Sequence, residues 1–178
     1  AAGYLAAFIN EYEPDWKVSI YRDPQLLLNE LRREPPDILG LSLKHWSEGI
    51  SSFVATAMQK INRDTLVVVG GPSVPSGDGE LSAFLVDHPE YDIAIPDEGE
   101  HGLLVLCYSH VDWEKSIPGC AWLNDDDNFV RGQYEMPVLA EVPSPYLTGV
   151  LDQFLLDLSI GRSLDLSQGL RIQQETTG

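Results

Sequence analysis

The stretch TLVVVGGPSVPSG, from Thr65 to Gly77, decides the fold predicted for this chain. Its first five residues form a nearly continuous apolar run, which is typical of a strand buried on both faces of a parallel sheet. Gly70, Gly71 and Pro72 then end the strand at once. Two consecutive glycines leave the backbone bare and free to adopt positive φ, so that a bulky ligand could lie directly on the main chain. A tight turn that simply needs glycine explains the pair equally well.

The sequence around this stretch alternates between strand and helix patterns. It predicts strands over 16–21, 37–43, 65–71 and 91–97, and helices over 2–12, 23–34, 47–63, 78–89 and 98–110. The third helix has an apolar stripe formed by Ile50, Phe53, Val54, Ala57 and Ile61. Strands that each precede a helix indicate an α/β fold, here a Rossmann-like (flavodoxin-like), doubly wound parallel sheet. Because such a sheet normally opens on a strand and this sequence opens on a helix, we expect the first strand to be missing.

The pattern changes near Val111. Residues 119–137 predict a β-hairpin with the turn NDDDN at 124–128. This acidic turn lacks the spacing of an EF-hand calcium loop, so a plain hairpin turn is favoured. A proline-rich linker over 139–149, a short helix over 150–158 and a final strand over 170–178 follow.

Composition limits the classes of function. The 178 residues include 28 acidic and 11 basic side chains, for a net charge of −17. Such a surface repels phosphate backbones, so nucleic acid is not expected as a partner. No apolar run reaches the length of a membrane span and the first residues lack the basic flank of a signal peptide, so we expect a cytoplasmic protein without a membrane partner. Cys107 and Cys120 have no metal-binding or disulfide spacing and are expected to be buried free thiols.

Ligands of open parallel sheets bind beyond the carboxyl ends of the strands. These positions are 42–46, 70–77 and 97–100. Neither a P-loop ending GK[ST] nor a GxGxxG fingerprint follows any strand. Leu41, Ser42 and Leu43 at one strand end, with Gly70 and Gly71 at the next, resemble the S-x-L and G-G elements of cobalamin-binding Rossmann-like domains. In those domains the serine and the glycines surround the buried nucleotide tail of the cofactor.

Six segments carry a closer resemblance, and they are GYLAAFI, PDILGLSLKHW, VVVGGPSVP, FLVDHPEYDIAIPDEGE, IPGCAWLNDDDNFV and VPSPYLTGVLDQFL. Their order and spacing are similar to the N-terminal halves of B12-dependent radical SAM proteins. The resemblance implies a cobalamin-binding Rossmann-like domain over 1–112, a β-hairpin and proline-rich linker over 113–149, and the start of a truncated radical SAM barrel over 150–178. The sequence ends where that family would carry the cysteines of its [4Fe-4S] cluster.

The resemblance also implies which residues bind the cofactor. They are Ser42, Leu43, Lys44, His45, Trp46, Gly70, Gly71, Pro72, Ser73, Glu98, Gly99 and Glu100. The D-x-H-x-x-G motif of methionine-synthase-like domains, whose histidine replaces the base beneath cobalt, is absent. His45 could instead ligate cobalt from below or cap the ring, and it could equally be an ordinary loop residue. Asp97 and Glu98 could accept hydrogen bonds from ribose hydroxyls, or could serve as helix N-terminal charges.

The functional hypothesis is therefore cobalamin binding within a radical SAM enzyme that transfers methyl groups or rearranges its substrate. The full-length protein would also use S-adenosylmethionine and a [4Fe-4S] cluster, and the radical SAM barrel of the same polypeptide would be the partner of this domain. The fragment alone should catalyse nothing, because the cofactors supply the chemistry. The alternatives are a flavodoxin-like signalling or protein-interaction module without cofactor, and a small independent enzyme, for which no catalytic constellation emerges.

Overall fold

The computed structural model describes residues 2–108, 117–134, 141–152 and 169–174. The helices are α1 (Ala2–Tyr12), α2 (Pro24–Arg33), α3 (Glu48–Ile61), α4 (Asp78–Asp87) and α5 (Glu100–Tyr108). The strands are β1 (Trp16–Tyr21), β2 (Ile38–Ser42), β3 (Leu66–Gly70), β4 (Ile93–Ile95), β5 (Ala121–Leu123), β6 (Phe129–Arg131) and β7 (Gly169–Gln174). The predicted helix over 150–158 lies largely outside the described residues.

The seven strands form one sheet in the order β1-β7-β2-β3-β4-β5-β6. Strands β2, β3 and β4 pair in parallel, and β1 runs in the same direction because β7 is antiparallel to both β1 and β2. Helices α2, α3 and α4 contribute to the core on one face of the sheet, whereas α1 and α5 contribute to the core on the other. The predicted doubly wound α/β fold is confirmed.

Strand β7 occupies the place between β1 and β2. In the flavodoxin-like order 2-1-3-4-5 that place belongs to the first strand of the fold. Here it is filled by a strand from the other end of the chain, running in the opposite direction, with Ile172 opposite both Val18 and Ile38. The predicted final strand thus exists over its described part, and its assignment to a barrel stays a prediction.

The hairpin predicted from the sequence is also present, and β5 joins the sheet antiparallel to β4. Its turn is organised by Asn124, whose side-chain oxygen accepts hydrogen bonds from the backbone N–H groups of Asp126 and Asn128 at 3.1 and 2.9 Å. Asp127 adopts a positive φ of 59°, a conformation that aspartate tolerates better than most residues. The acidic run is therefore a hairpin turn, as predicted.

The buried face of α3 differs from the predicted apolar stripe. The structure buries Ser51, Val54, Ala55 and Met58, whereas Phe53 remains 62% exposed. Val54, Ala55 and Met58 on this face pack into the core, and the hydroxyl of Ser51 on the same face donates a hydrogen bond to the carbonyl of Ser42 at 3.1 Å. Among the described residues, no helix is long and apolar enough to cross a membrane.

Candidate functional site

A cavity of about 490 Å³ opens at the carboxyl ends of β2, β3 and β4. This volume falls in the range of small-molecule sites, about 300–1,000 Å³. Its lining combines backbone at glycines, aliphatic side chains and a short acidic segment. The lining residues are Ala2, Leu5, Gly40, Leu41, Ser42, Val68, Gly70, Gly71, Pro72, Ile95, Pro96, Asp97, Glu98, Gly99, Glu100, Leu103 and Leu170.

The two glycines that end β3 have different roles. At Gly71 φ is +121°, and a Cβ atom would lie 2.7 Å from the carbonyl oxygen of Leu43, closer than packed atoms allow. The backbone of Leu43 itself donates to Gly70 at 2.7 Å, so the two loops are joined directly. Gly71 is therefore required by the turn. Gly70 is less constrained, because a Cβ there would lie 3.3 Å from the carbonyl oxygen of Ile95, a tight contact that a small shift relieves.

The loop after β2 is held by serine side chains. The hydroxyl of Ser47 accepts a hydrogen bond from the backbone N–H of Lys44 at 3.1 Å and lies 3.2 Å from the carbonyl oxygen of Ser42. These bonds hold the turn that leads into α3, and His45 and Trp46 within it are exposed. Lys44 Nζ lies 5.7 Å from the centre of the Trp46 ring, within cation–π range.

The segment 97–100 supplies the polar wall of the cavity. The hydroxyl of Tyr134 donates a hydrogen bond to Glu98, which lowers the pKa of Glu98 and raises the pKa of Tyr134 to about 12. Glu100 stands at the start of α5, and its Oε2 atom is buried without a hydrogen-bond partner among the described residues. A buried carboxylate oxygen is most stable when it accepts a hydrogen bond, so Oε2 of Glu100 is an acceptor that this wall offers to a ligand.

The structure brings together seven of the twelve residues predicted to bind a cofactor. Ser42, Gly70, Gly71, Pro72, Glu98, Gly99 and Glu100 all line the cavity. The other five, Leu43, Lys44, His45, Trp46 and Ser73, are not in its lining. Leu43 lies in the core at 1% exposure.

The sequence analysis did not identify several lining residues that lie inside strands, among them Gly40, Val68 and Leu170. Gly40 is the one position at which a signal existed, because a glycine inside a buried strand often marks a close approach of another chain segment. A Cβ at Gly40 would lie 3.2 Å from Cβ of Leu170, which is itself part of the lining.

Within the part of the chain that the structure describes, no group of three or more histidine, cysteine, aspartate or glutamate side chains could hold a metal ion. The cavity is equipped to bind a ligand.

The chain is similar to two curated proteins. It is 33% identical over 122 residues to the 2-(S-pantetheinyl)-carbapenam-3-carboxylate methyltransferase of Streptantibioticus cattleyicolor, covering 66% of this chain and 17% of that protein. It is also 33% identical over 161 residues to the cobalamin-dependent radical SAM methyltransferase TokK of Streptomyces tokunonensis, covering 85% of this chain and 23% of that protein. The chain thus spans about a fifth of the length of these relatives. No family model matches it.

Solved structures with the same fold include the cobalamin-dependent S-adenosylmethionine radical enzyme OxsB. With aqua-cobalamin and S-adenosylmethionine bound, OxsB superposes with a TM-score of 0.62 at 18% identity, over 85% of this chain and 22% of that one. The OxsB structure with aqua-cobalamin alone gives the same values.

Proposed function

Since this chain is related to the cobalamin-dependent radical SAM methyltransferases, we propose that it binds cobalamin in the cavity at the ends of β2, β3 and β4. The observation that carries the proposal is the cavity itself, at the edge of the sheet where doubly wound folds bind their ligands. In the radical SAM enzyme OxsB, a protein of the same fold, aqua-cobalamin is bound.

The residues of the cavity fit the nucleotide tail of such a cofactor. Gly70 and Gly99 leave room beside the main chain, and Leu5, Ile95 and Leu103 supply apolar walls for a flat ring system. The buried Oε2 atom of Glu100 is an acceptor for a ligand hydroxyl or amide. When bound, cobalamin would supply the cobalt chemistry, and this chain would hold and orient it.

The full-length protein would be a B12-dependent radical SAM enzyme that catalyses methyl transfer or a radical rearrangement. It would use S-adenosylmethionine and a [4Fe-4S] cluster in a barrel of the same polypeptide and act in the cytoplasm. The proposed boundaries are those given above: 1–112 for the cobalamin domain, 113–149 for the hairpin and linker, and 150–178 for the start of the barrel.

The first test is a titration of the purified chain with hydroxocobalamin, followed by gel filtration and a visible spectrum of the protein peak. Co-elution of the red cofactor is expected. A colourless peak at every concentration would overturn the proposal for this chain and favour an interaction module without cofactor.

Gly99→Leu makes the titration specific for the cavity. Gly99 lines the cavity, and a Cβ there would make ordinary contacts at 3.5 Å, so the fold should tolerate the change while the cavity is filled. We expect affinity to fall about tenfold or more, equivalent to about 1.4 kcal/mol. Gly79→Leu is the control, because nothing lies within 4 Å of a Cβ at that position. Equal losses in the two variants would place binding elsewhere.

His45 is also proposed as the lower ligand of cobalt. The visible spectrum of bound hydroxocobalamin should then change in His45→Ala, because a nitrogen ligand is lost. An unchanged spectrum would eliminate His45 from this role.

A further inference from the structure

Arg131 reaches from β6 to two loops that border the cavity, namely the loop after β3 and the segment 97–100 after β4. Its Nη1 atom donates a hydrogen bond to the carbonyl of Ser76 at 2.8 Å and lies 2.5 Å from Oδ1 of Asp78. Its Nη2 atom lies 3.6 Å from Oδ2 of Asp97. The side chain of Arg131 is only 21% exposed, whereas those of Asp78 and Asp97 are 74% and 36% exposed.

The partners of Arg131 belong to separate strand ends. Ser76 and Asp78 lie where the loop after β3 enters α4, whereas Asp97 follows β4 and lines the cavity. Three residues beyond Arg131, Tyr134 bonds to Glu98 in the same segment after β4. The end of the hairpin therefore makes two contacts where the loop after β3 enters α4, with Ser76 and Asp78, and two with the segment after β4, with Asp97 and Glu98.

The two loops that Arg131 joins both carry acidic side chains. Asp78, Glu80, Asp97 and Glu98 all lie on or beside them, in a chain of net charge −17. Arg131 places one positive charge within 4 Å of a carboxylate from each loop, Asp78 and Asp97, which favours their approach. A guanidinium is suited to the place because its two terminal nitrogens can serve different partners, which a lysine ammonium on a flexible stem cannot do with fixed geometry.

We infer that Arg131 is a positioning residue: it fixes the two loops relative to each other and so sets the width of the cavity between them. The inference rests on the proposed function insofar as the cavity binds cobalamin. Arg131 itself is absent from the cavity lining and would act through Asp97 and the loop after β3.

The test compares Arg131→Lys, Arg131→Met and wild type in two measurements. The first is hydrogen–deuterium exchange of the cofactor-free chain over 72–78 and 97–100, and the second is the affinity for hydroxocobalamin. We expect faster exchange in both segments and about tenfold weaker binding in both variants, although lysine keeps the charge. Arg33→Met is the control, because Arg33 forms an exposed pair with Glu30 on α2 and should change neither measurement.

Tyr134→Phe serves as a milder second variant, which releases Glu98 alone and should raise exchange over 97–100 without affecting 72–78. Wild-type exchange or affinity in Arg131→Lys would overturn the bridging role. If wild type binds no hydroxocobalamin, the proposed function fails, whereas the exchange measurement on the cofactor-free chain still decides whether Arg131 joins the loops.

Discussion

The two ends of the parallel strands β2, β3 and β4 differ in how their polar groups are placed. At the amino end, the side chains of Thr65, Glu90 and Asp92 are hydrogen-bonded, whereas the buried hydroxyl of Tyr91 has no partner among the described residues. The hydroxyl of Thr65, 3% exposed, donates to the carbonyl of Pro36 at 2.6 Å, and the carboxylate of Asp92 accepts from the backbone N–H of Val67 at 2.7 Å. Beside them, Glu90 accepts from Ser52 at 2.5 Å.

At the carboxyl end, β3 finishes in Gly70 and Gly71, and the ends of the three strands border a cavity in which Oε2 of Glu100 is buried without a hydrogen-bond partner among the described residues. Paired polar groups stabilise a fold, whereas a cavity and a buried acceptor without a partner reduce its stability. We therefore expect the amino end to act as the structural end and the carboxyl end as the binding end. Substitutions at the structural end should lower the free energy of unfolding, whereas substitutions at the binding end should lower the affinity for the cofactor.

Gly71→Ala should cause the largest loss of stability, and it is an exception to the division between the two ends. Although Gly71 lies at the binding end, its positive φ and the contact with Leu43 predict a loss of about 3 kcal/mol in the free energy of unfolding. Urea denaturation of both proteins measures the loss. Gly79→Ala, an open position within α4, should instead stabilise the chain by about 0.5–1 kcal/mol. A near-neutral Gly71→Ala would mean that the turn does not need glycine.

Ser52→Ala should reduce stability next, at the structural end. Burial raises the pKa of Glu90, but the hydrogen bonds from Ser52, its own backbone and His88 outweigh burial and bring the pKa below its ordinary value of 4.5. The stability that a depressed carboxyl pKa contributes is present above pH 4.5 and is lost as pH falls through the folded pKa.

At pH 7 we therefore expect Ser52→Ala to lower the free energy of unfolding by about 1–2 kcal/mol, and the difference from wild type to shrink as pH falls below 4.5. Urea midpoints between pH 3 and pH 7 would show this, and hydroxocobalamin affinity should not change. A difference independent of pH would show that Glu90 is not the partner that matters.

Thr65→Val should cost about 1 kcal/mol, because it leaves the carbonyl of Pro36 without its donor while keeping the side-chain shape. Thermal denaturation is sufficient to detect it. Thr148→Val at an exposed position provides the comparison. Weaker cofactor binding in Thr65→Val with unchanged stability would contradict the division between the two ends.

Glu100→Gln should have the smallest effect on stability and a clear effect on binding. The change keeps the size of the side chain, so the free energy of unfolding should stay within about 0.5 kcal/mol of wild type. Hydroxocobalamin affinity should fall about fivefold, since the charged acceptor is lost. Glu48→Gln, in the first turn of α3, is the matched control for the helix position. An unchanged affinity would remove Glu100 from the site.

Much of the fold could be predicted because its signals are local. Buried runs such as 65–69 and helical periodicity identify the parallel strands and the helices, and the rule for strand ends led to Gly70, Glu98 and Glu100. The resemblance to B12-dependent radical SAM proteins is confirmed by relatives at 33% identity. The thiols of Cys107 and Cys120 are buried as predicted, and burial raises the pKa of each to about 12.

What the sequence could not predict depends on contacts between distant segments. The buried face of α3 includes Ser51, whose hydroxyl bonds to the end of β2, and a search for apolar periodicity does not select a serine. Arg131 looks like any polar residue of a hairpin until β5 pairs with β4 and carries it to the loops. Leu170 reaches the cavity only because β7 enters the sheet beside β2.

The place of β7 also has a consequence for the order in which the chain folds. Strand β1 pairs with β7 from Trp16↔Gln174 to Tyr21↔Gly169, so this edge of the sheet forms only when the two ends of the described chain meet. Contacts of such long sequence separation form slowly, since loop closure must come first. We expect β2, β3 and β4 to become protected early in refolding and β1 last, which pulsed hydrogen exchange would resolve.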